Sequence, residues 1–290
     1  MLSVLFVTGC CCLKSDPCCM VKKADSDLTA LMDKSLDWQK VHAVEEFIAA
    51  GIIRPEFIST YRAIYNKTTP KTPARVGACR VLYRCCPEER PRLRDELVAM
   101  AMDMGCPGDG HSIETMCKLN IKLTPAEMAS LRRYTVANKD SKGDMANYLL
   151  YINGDKEAEK SVLKAIDNRD GNTVYCFWFN ETEISAEMKA ALLRAKNHEG
   201  NTAEFQSFVD RACLLKVAGS HADCAELFAK AKKYNQKENW EGPVRFYMMA
   251  LGDVGTKDDF PEIAKWLTHE NEEVRIAAAG TIVRIANTSK

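Results

Sequence analysis

The residues best suited to covalent or metal chemistry in this chain are its cysteines. There are 13 in 290 residues, and Cys10, Cys11, Cys12, Cys18 and Cys19 fall within the first 20. Clustered thiols can take acyl chains, bind a metal, or stand as a reactive tail. Structural zinc sites prefer cysteines two to four residues apart, whereas Cys10, Cys11 and Cys12 are adjacent. Cys106, His111 and Cys117 fit no familiar zinc spacing and lack a fourth ligand. Two His-Glu pairs, His198-Glu199 and His269-Glu270, offer the only other obvious ligand sets. No Gly-rich phosphate loop, nucleophile elbow or nucleotide fingerprint occurs. The expectation is therefore no catalytic constellation, no metal site and no cofactor.

Cys10 has a setting of its own. The apolar run Leu2 to Val7 leads into Thr8, Gly9 and Cys10, and the order Val7-Thr8-Gly9-Cys10 resembles a bacterial lipobox. The resemblance implies cleavage beside small side chains and lipidation of the Cys10 thiol. It further implies an envelope protein anchored to the membrane, with residues 1–9 as a short signal and 10–25 as a tether. Met1 leads straight into an apolar core shorter than the usual 7–15 residues, without a basic n-region. S-palmitoylation is a second reading, although Leu2 replaces the glycine that myristoylation requires. A cytoplasmic protein with a bland tail is a third. No run of about 20 apolar residues occurs, so a spanning helix is not expected.

The elements that would position any site read as helices. Asp259 is placed to cap one, with Glu262 in capping-box register and Pro261 in the first turn. Asn271 is placed to cap the next, followed by Glu272 and Glu273. Val274, Ala278, Ile282 and Ile285 then mark a buried face, and the small residues 277–280 allow a close neighbour. Thr124-Pro125-Ala126-Glu127 and Ser185-Ala186-Glu187 open further helices, and Leu93, Leu97, Met100 and Met104 recur at helical spacing. Residues 26–70 read as a few N-terminal helices anchored by Trp38, Val41, Phe47, Phe57, Tyr61 and Ile64. Thr173 to Phe179 has strand-like composition, but an isolated strand would leave its backbone unpaired, so a buried helix is expected.

Internal repetition supports this. Arg75–Arg84 aligns without gaps with Arg275–Arg284, and Val244-Arg245 precedes Val274-Arg275 by one 30-residue unit. Further copies run from Tyr148 to Val174 and from Cys213 to Val244. Over residues 245–286 the pattern resembles the HEAT repeat, in the short-unit form seen in phycobilisome lyase-like proteins. The resemblance implies an all-α fold over residues 71–290: an α-solenoid of stacked antiparallel helix pairs, an armadillo-like superhelix with a concave binding face. Arg245 and Arg275 at the start of second helices, with Asp253 between units, suggest a ladder of inter-repeat ion pairs. HEAT-type hydroxylases hold iron with His-Glu pairs inside second helices, a placement His198-Glu199 and His269-Glu270 do not share.

Composition narrows the function. Forty basic and forty acidic residues give zero net charge, which argues against nucleic acid as a partner. The densest basic stretch contains Arg75, Arg80 and Arg84, a candidate face for an acidic partner, set against an ordinary solvated helix face. The leading expectation is a non-enzymatic scaffold holding a protein or peptide on its concave face. The alternatives are a bilin-lyase-like accessory enzyme or chaperone and a soluble intracellular scaffold. The eight cysteines from Cys79 onward sit mostly at apolar helix positions and read as packing, with pairing of Cys85 or Cys86 to Cys106 or Cys117 open in an exported protein.

Overall fold

The computed structural model describes residues 16–32, 38–103, 105–137, 141–179, 181–235 and 241–288. The described chain is all-α, without a strand. In order, the helices are α1 (Pro17–Met32), α2 (Trp38–Ala49), α3 (Pro55–Lys67), α4 (Pro73–Cys85), α5 (Arg90–Met102), α6 (Asp109–Lys118), α7 (Pro125–Ala137) and α8 (Ser141–Ile152). They continue as α9 (Lys156–Asp167), α10 (Gly171–Cys176), α11 (Ala186–Lys196), α12 (Ala203–Lys216), α13 (Cys224–Asn235), α14 (Glu241–Val254), α15 (Phe260–Ile263, extended by a 3-10 turn to Thr268) and α16 (Glu272–Thr288).

Local sequence explains where these helices start. Thr72, Asp155, Asp170, Ser185 and Thr202 each accept a hydrogen bond from a backbone N–H in the first turn of the following helix. Thr124 and Glu127 form a reciprocal capping box at α7, and Asn271 accepts from the Val274 N–H at α16. Asp259 acts differently from its expected role. Thr256 is the cap, and Asp259 is the third residue of that capping box, inside a 3-10 turn that feeds α15. Asp170 likewise resolves the strand-like segment: it caps α10, and turns carry the chain on to Phe179.

Even-numbered helices pack against their neighbours in series: α2 on α4, α4 on α6, α6 on α8, α8 on α10, α10 on α12, α12 on α14 and α14 on α16. Odd-numbered helices pair with them on the outside. Residues at the C-terminal ends of α2, α4, α10, α12, α14 and α16 line one common space, so these inner helices share a direction. The series then closes, because α16 packs against α1 and α2. The all-α fold expected from sequence is present, and its helix series closes on itself as a ring. A register of buried residues every four positions, Met20, Ala24 and Leu28, makes α1 the outer partner of the closing helix pair. Residues 17–25, expected as part of a tether, are thus the first turns of a packed helix, and residues 26–70 join the same ring as the rest.

The seam between α16 and α2 depends on small residues. A methyl group on Gly280 would collide with the Glu46 side chain of α2, and at the neighbouring α14–α16 contact one on Gly252 would collide with the Arg284 guanidinium. Overpacking of this kind costs about 1–3 kcal/mol. Gly280→Ala should therefore lower the melting temperature by several degrees in thermal unfolding, and an unchanged melting temperature would contradict the closed seam.

Candidate functional site

Closure of the ring converts the inner helix faces into the wall of a central cavity. It offers about 150 Å³ of space to water and opens to solvent, between α2, α4, α6, α10, α12, α14 and α16. A second, open space of about 680 Å³ adjoins it at the C-terminal ends of inner helices and shares Arg84, Trp178, Phe179, Arg211 and Arg284. These residues mark the floor of a mouth. The negative ends of parallel inner helices face this side, which favours cations there.

Five cations line the central cavity, Arg84, Lys118, Arg211, Arg245 and Arg284, against the carboxylates Glu45 and Glu46. On one side, Glu45 lies 3.6 Å from Arg80, 3.5 Å from Arg84 and 3.9 Å from Lys118. Glu114 lies 2.9 Å from Lys118 and 3.6 Å from Arg80. Three cations thus share two carboxylates. On the other side, Asp253 accepts hydrogen bonds from Arg211 Nε at 2.8 Å and Arg284 Nη1 at 2.9 Å, while Arg284 Nε lies 3.2 Å from Glu46. Arg245 reaches Glu273 at 3.3 Å, and Glu273 also meets His42 at 3.1 Å.

This network sets the protonation of its members. Burial pushes Glu114 up, but Lys118 and Arg80 overcome it and hold the carboxyl at about 2. Glu45 is pushed the same two ways, by burial and then by Lys118, Arg80 and Arg84, with the net shift strongly downward. Lys118 stays cationic, because Glu114 and Glu45 outweigh burial and Arg80. Arg80 is buried against Trp38, and neither of its terminal nitrogens makes a hydrogen bond within the described protein. Carboxylates held this firmly ionised are weak proton acceptors.

The remaining wall is aromatic. Tyr175, Trp178 and Phe179 come from the end of α10, where Trp178 Nε1 donates to the Phe208 carbonyl at 3.0 Å. Arg211 stacks over Trp178 at 4.9 Å and Lys118 lies 5.2 Å from the Phe179 ring centre. Phe246 completes an edge-to-face cluster with Trp178 and Phe208.

The residues singled out from sequence take up distinct places. Arg84 and Arg245 line the cavity, and Asp253 lies at its mouth. Asp253 joins neighbouring units through Arg211 and Arg284, and Arg245 joins them through Glu273. Arg275 does not enter this set: its guanidinium turns back onto the carbonyls of His269 and Glu270 at 2.7 and 2.8 Å. Arg75, Arg80 and Arg84 form no common surface. Arg75 is tied to Glu96 and stacked on Tyr65, Arg80 is fully buried, and only Arg84 faces the cavity. Cys10 lies outside the described residues. The described cysteines are free thiols, and burial pushes Cys79 and Cys213 up to about 12, as expected of packing groups. His198-Glu199 and His269-Glu270 lie in loops.

Lys118, Glu45, Glu46, Arg211 and Arg284 were not legible as site residues. One signal pointed to Arg284: in the internal alignment it is the counterpart of Arg84.

No protein family, characterised protein or solved structure matches the chain. The all-helical architecture of packed neighbouring helices therefore stands on its own geometry.

The network makes a pH prediction. Glu114 has a folded-state value below its ordinary 4.5, so its stabilisation is complete above pH 4.5 and is lost as pH falls toward 2. Glu114→Gln should lower stability at neutral pH and flatten the acid limb of melting temperature against pH. An acid limb identical to that of the parent chain would refute the assignment.

Proposed function

We propose that this chain is a binding scaffold of HEAT-like helix pairs that receives an acidic, aromatic-bearing segment of a protein partner in its central cavity. The carrying observation is the surplus cation beside an aromatic wall. Arg80, Arg84 and Lys118 share Glu45 and Glu114, and among the described residues Arg84's only ion pair is the 3.5 Å contact with Glu45. Arg84 keeps a quarter of its side-chain surface exposed, within a cavity that Trp178 and Phe179 also line. An incoming carboxylate would complete the hydrogen bonding of its planar fork, and a neighbouring aromatic side chain would stack on the Trp178 wall. The closed wall favours a narrow chain end or loop over a folded surface. Zero net charge of the whole chain is compatible with this, because the cationic surplus is local.

Calorimetric titration with short Asp/Glu-plus-aromatic peptides tests the reading, with Lys-substituted peptides as controls. The acidic peptides are expected to bind, more weakly at higher salt. Arg84→Gln should weaken them roughly tenfold or more, the size of a lost charge-assisted hydrogen bond, without changing the melting temperature appreciably. Absence of binding, or equal binding by Arg84→Gln, would overturn the proposal. A bilin titrated in parallel addresses the chromophore alternative: a spectral shift on mixing would reassign the cavity.

A further inference from the structure

Outside the cavity, two loops of successive units meet at the rim of the ring. Ser220 to Cys224 leads into α13, and Thr256 to Phe260 leads into α15. Both use the same device, a 3-10 turn with a capping box, Ser220 with Asp223 and Thr256 with Asp259. This repetition holds both loops in fixed conformations before any ligand arrives. His221 of the first loop reaches Asp259 of the second, with Nε2 to Oδ2 at 3.0 Å. Cys224, one turn of chain beyond His221, is buried beside them. One ligand atom from each of His221, Cys224 and Asp259 lies within 4.8 Å of the other two.

We propose that His221, Cys224 and Asp259 form a site for a thiophilic divalent cation, with zinc the fitting ion. An imidazole nitrogen, a thiolate and a carboxylate make a mixed N, S, O set that suits zinc or cobalt and disfavours magnesium or calcium, which take oxygen ligands. Ligands around a tetrahedral zinc, each at about 2.0–2.3 Å from the metal, stand about 3–4 Å from one another, so only small movements are needed. The cation takes the place of the protons now shared around Asp259: the Cys224 S–H proton is released and an Sγ–metal bond forms, with no redox change. The carboxylate is already oriented. Its hydrogen bonds from Thr256 N–H and Thr256 Oγ1 fall on Oδ2, so Oδ1 can turn to the metal while the cap persists. With three protein ligands and His221 half exposed, the fourth position faces solvent and takes water or a ligand from outside. The site would clip the α12–α13 unit to the α14–α15 unit.

Cobalt(II) titration of the full chain, stripped of metal and kept reduced, tests this. The expected result is one tightly bound equivalent showing the visible absorption of a four-coordinate site and a thiolate-to-cobalt charge-transfer band. His221→Ala, at a position exposed enough to leave folding intact, should weaken binding by at least about tenfold, since even residues that only support ligands cost 10–100-fold. Cys224→Ser should abolish the charge-transfer band, with circular dichroism confirming the fold. Persistence of the band in Cys224→Ser would place the cobalt on other cysteines and overturn the proposal, as would binding unaffected by His221→Ala or no cobalt band at all.

Discussion

The ring depends on two adjacent acids of α2. Neighbouring residues on a helix point roughly 100° apart, so Glu45 and Glu46 face different partners. Glu45 turns to Arg80 and Arg84 of α4 and to Lys118 of α6, while Glu46 turns to Arg284 of α16. The helix that belongs to the beginning of the ring is thereby clasped on one side by its sequence neighbours and on the other by the end of the described chain. Burying such charges is unfavourable unless each is paired, and a removal that leaves a buried charge with no partner costs about 3–5 kcal/mol. Gly280 and Gly252 are required because the acid and the guanidinium must come this close to the helix backbones.

Closing a ring has a conformational cost as well. His42 and Glu273, which meet across the seam, are 231 residues apart. The loop-closure term grows only slowly with length, about 0.6 kcal/mol for each doubling. Pairing across the whole ring rather than across one 30-residue unit therefore costs roughly 2 kcal/mol more. Burial of Met20, Ala24 and Leu28 on α1 is enough to offset that, at about 1.5–3 kcal/mol for each large apolar side chain. Apolar packing supplies the stability of the seam, and the ion pairs set its register.

Much of the helix pattern was readable from local chemistry. Asn271, the Thr124-Pro125 start and Ser185 act where their types and spacing placed them, since capping is decided within one turn. The ungapped match of Arg75–Arg84 to Arg275–Arg284 identified two inner helices of the ring, α4 and α16. What it could not show is that these two helices flank the same third one. That relation joins α2 to α16 through contacts more than 200 residues apart, and no periodicity within a unit encodes it. The same limit explains the basic stretch. Arg75, Arg80 and Arg84 look alike in sequence, but helical spacing sends them to a half-buried stack on Tyr65, the interior and the cavity in turn. Asp259 was read as a cap because its neighbours fit, and the 3-10 turn before it moved the cap three residues upstream to Thr256.

The ion pairs that close the ring also determine where a ligand can act. Arg284 is held by the seam: Nη1 donates to Asp253, Nη2 to the Met249 carbonyl, and Nε makes an ion-pair contact with Glu46 without a hydrogen bond. A ligand anion drawing on Arg284 would loosen the seam and lose in closure what it gained in contact. Arg84 carries no such duty, because Glu45 already has Arg80 and Lys118. The two residues are counterparts in the internal alignment, and closure has divided their surroundings: Arg284 is held by the seam, whereas Arg84 keeps one ion pair, to Glu45, among the described residues. On the proposed reading, an occupant held by Arg84 would bridge α4 and the aromatic end of α10 across the cavity without competing with the contacts that hold the ring shut.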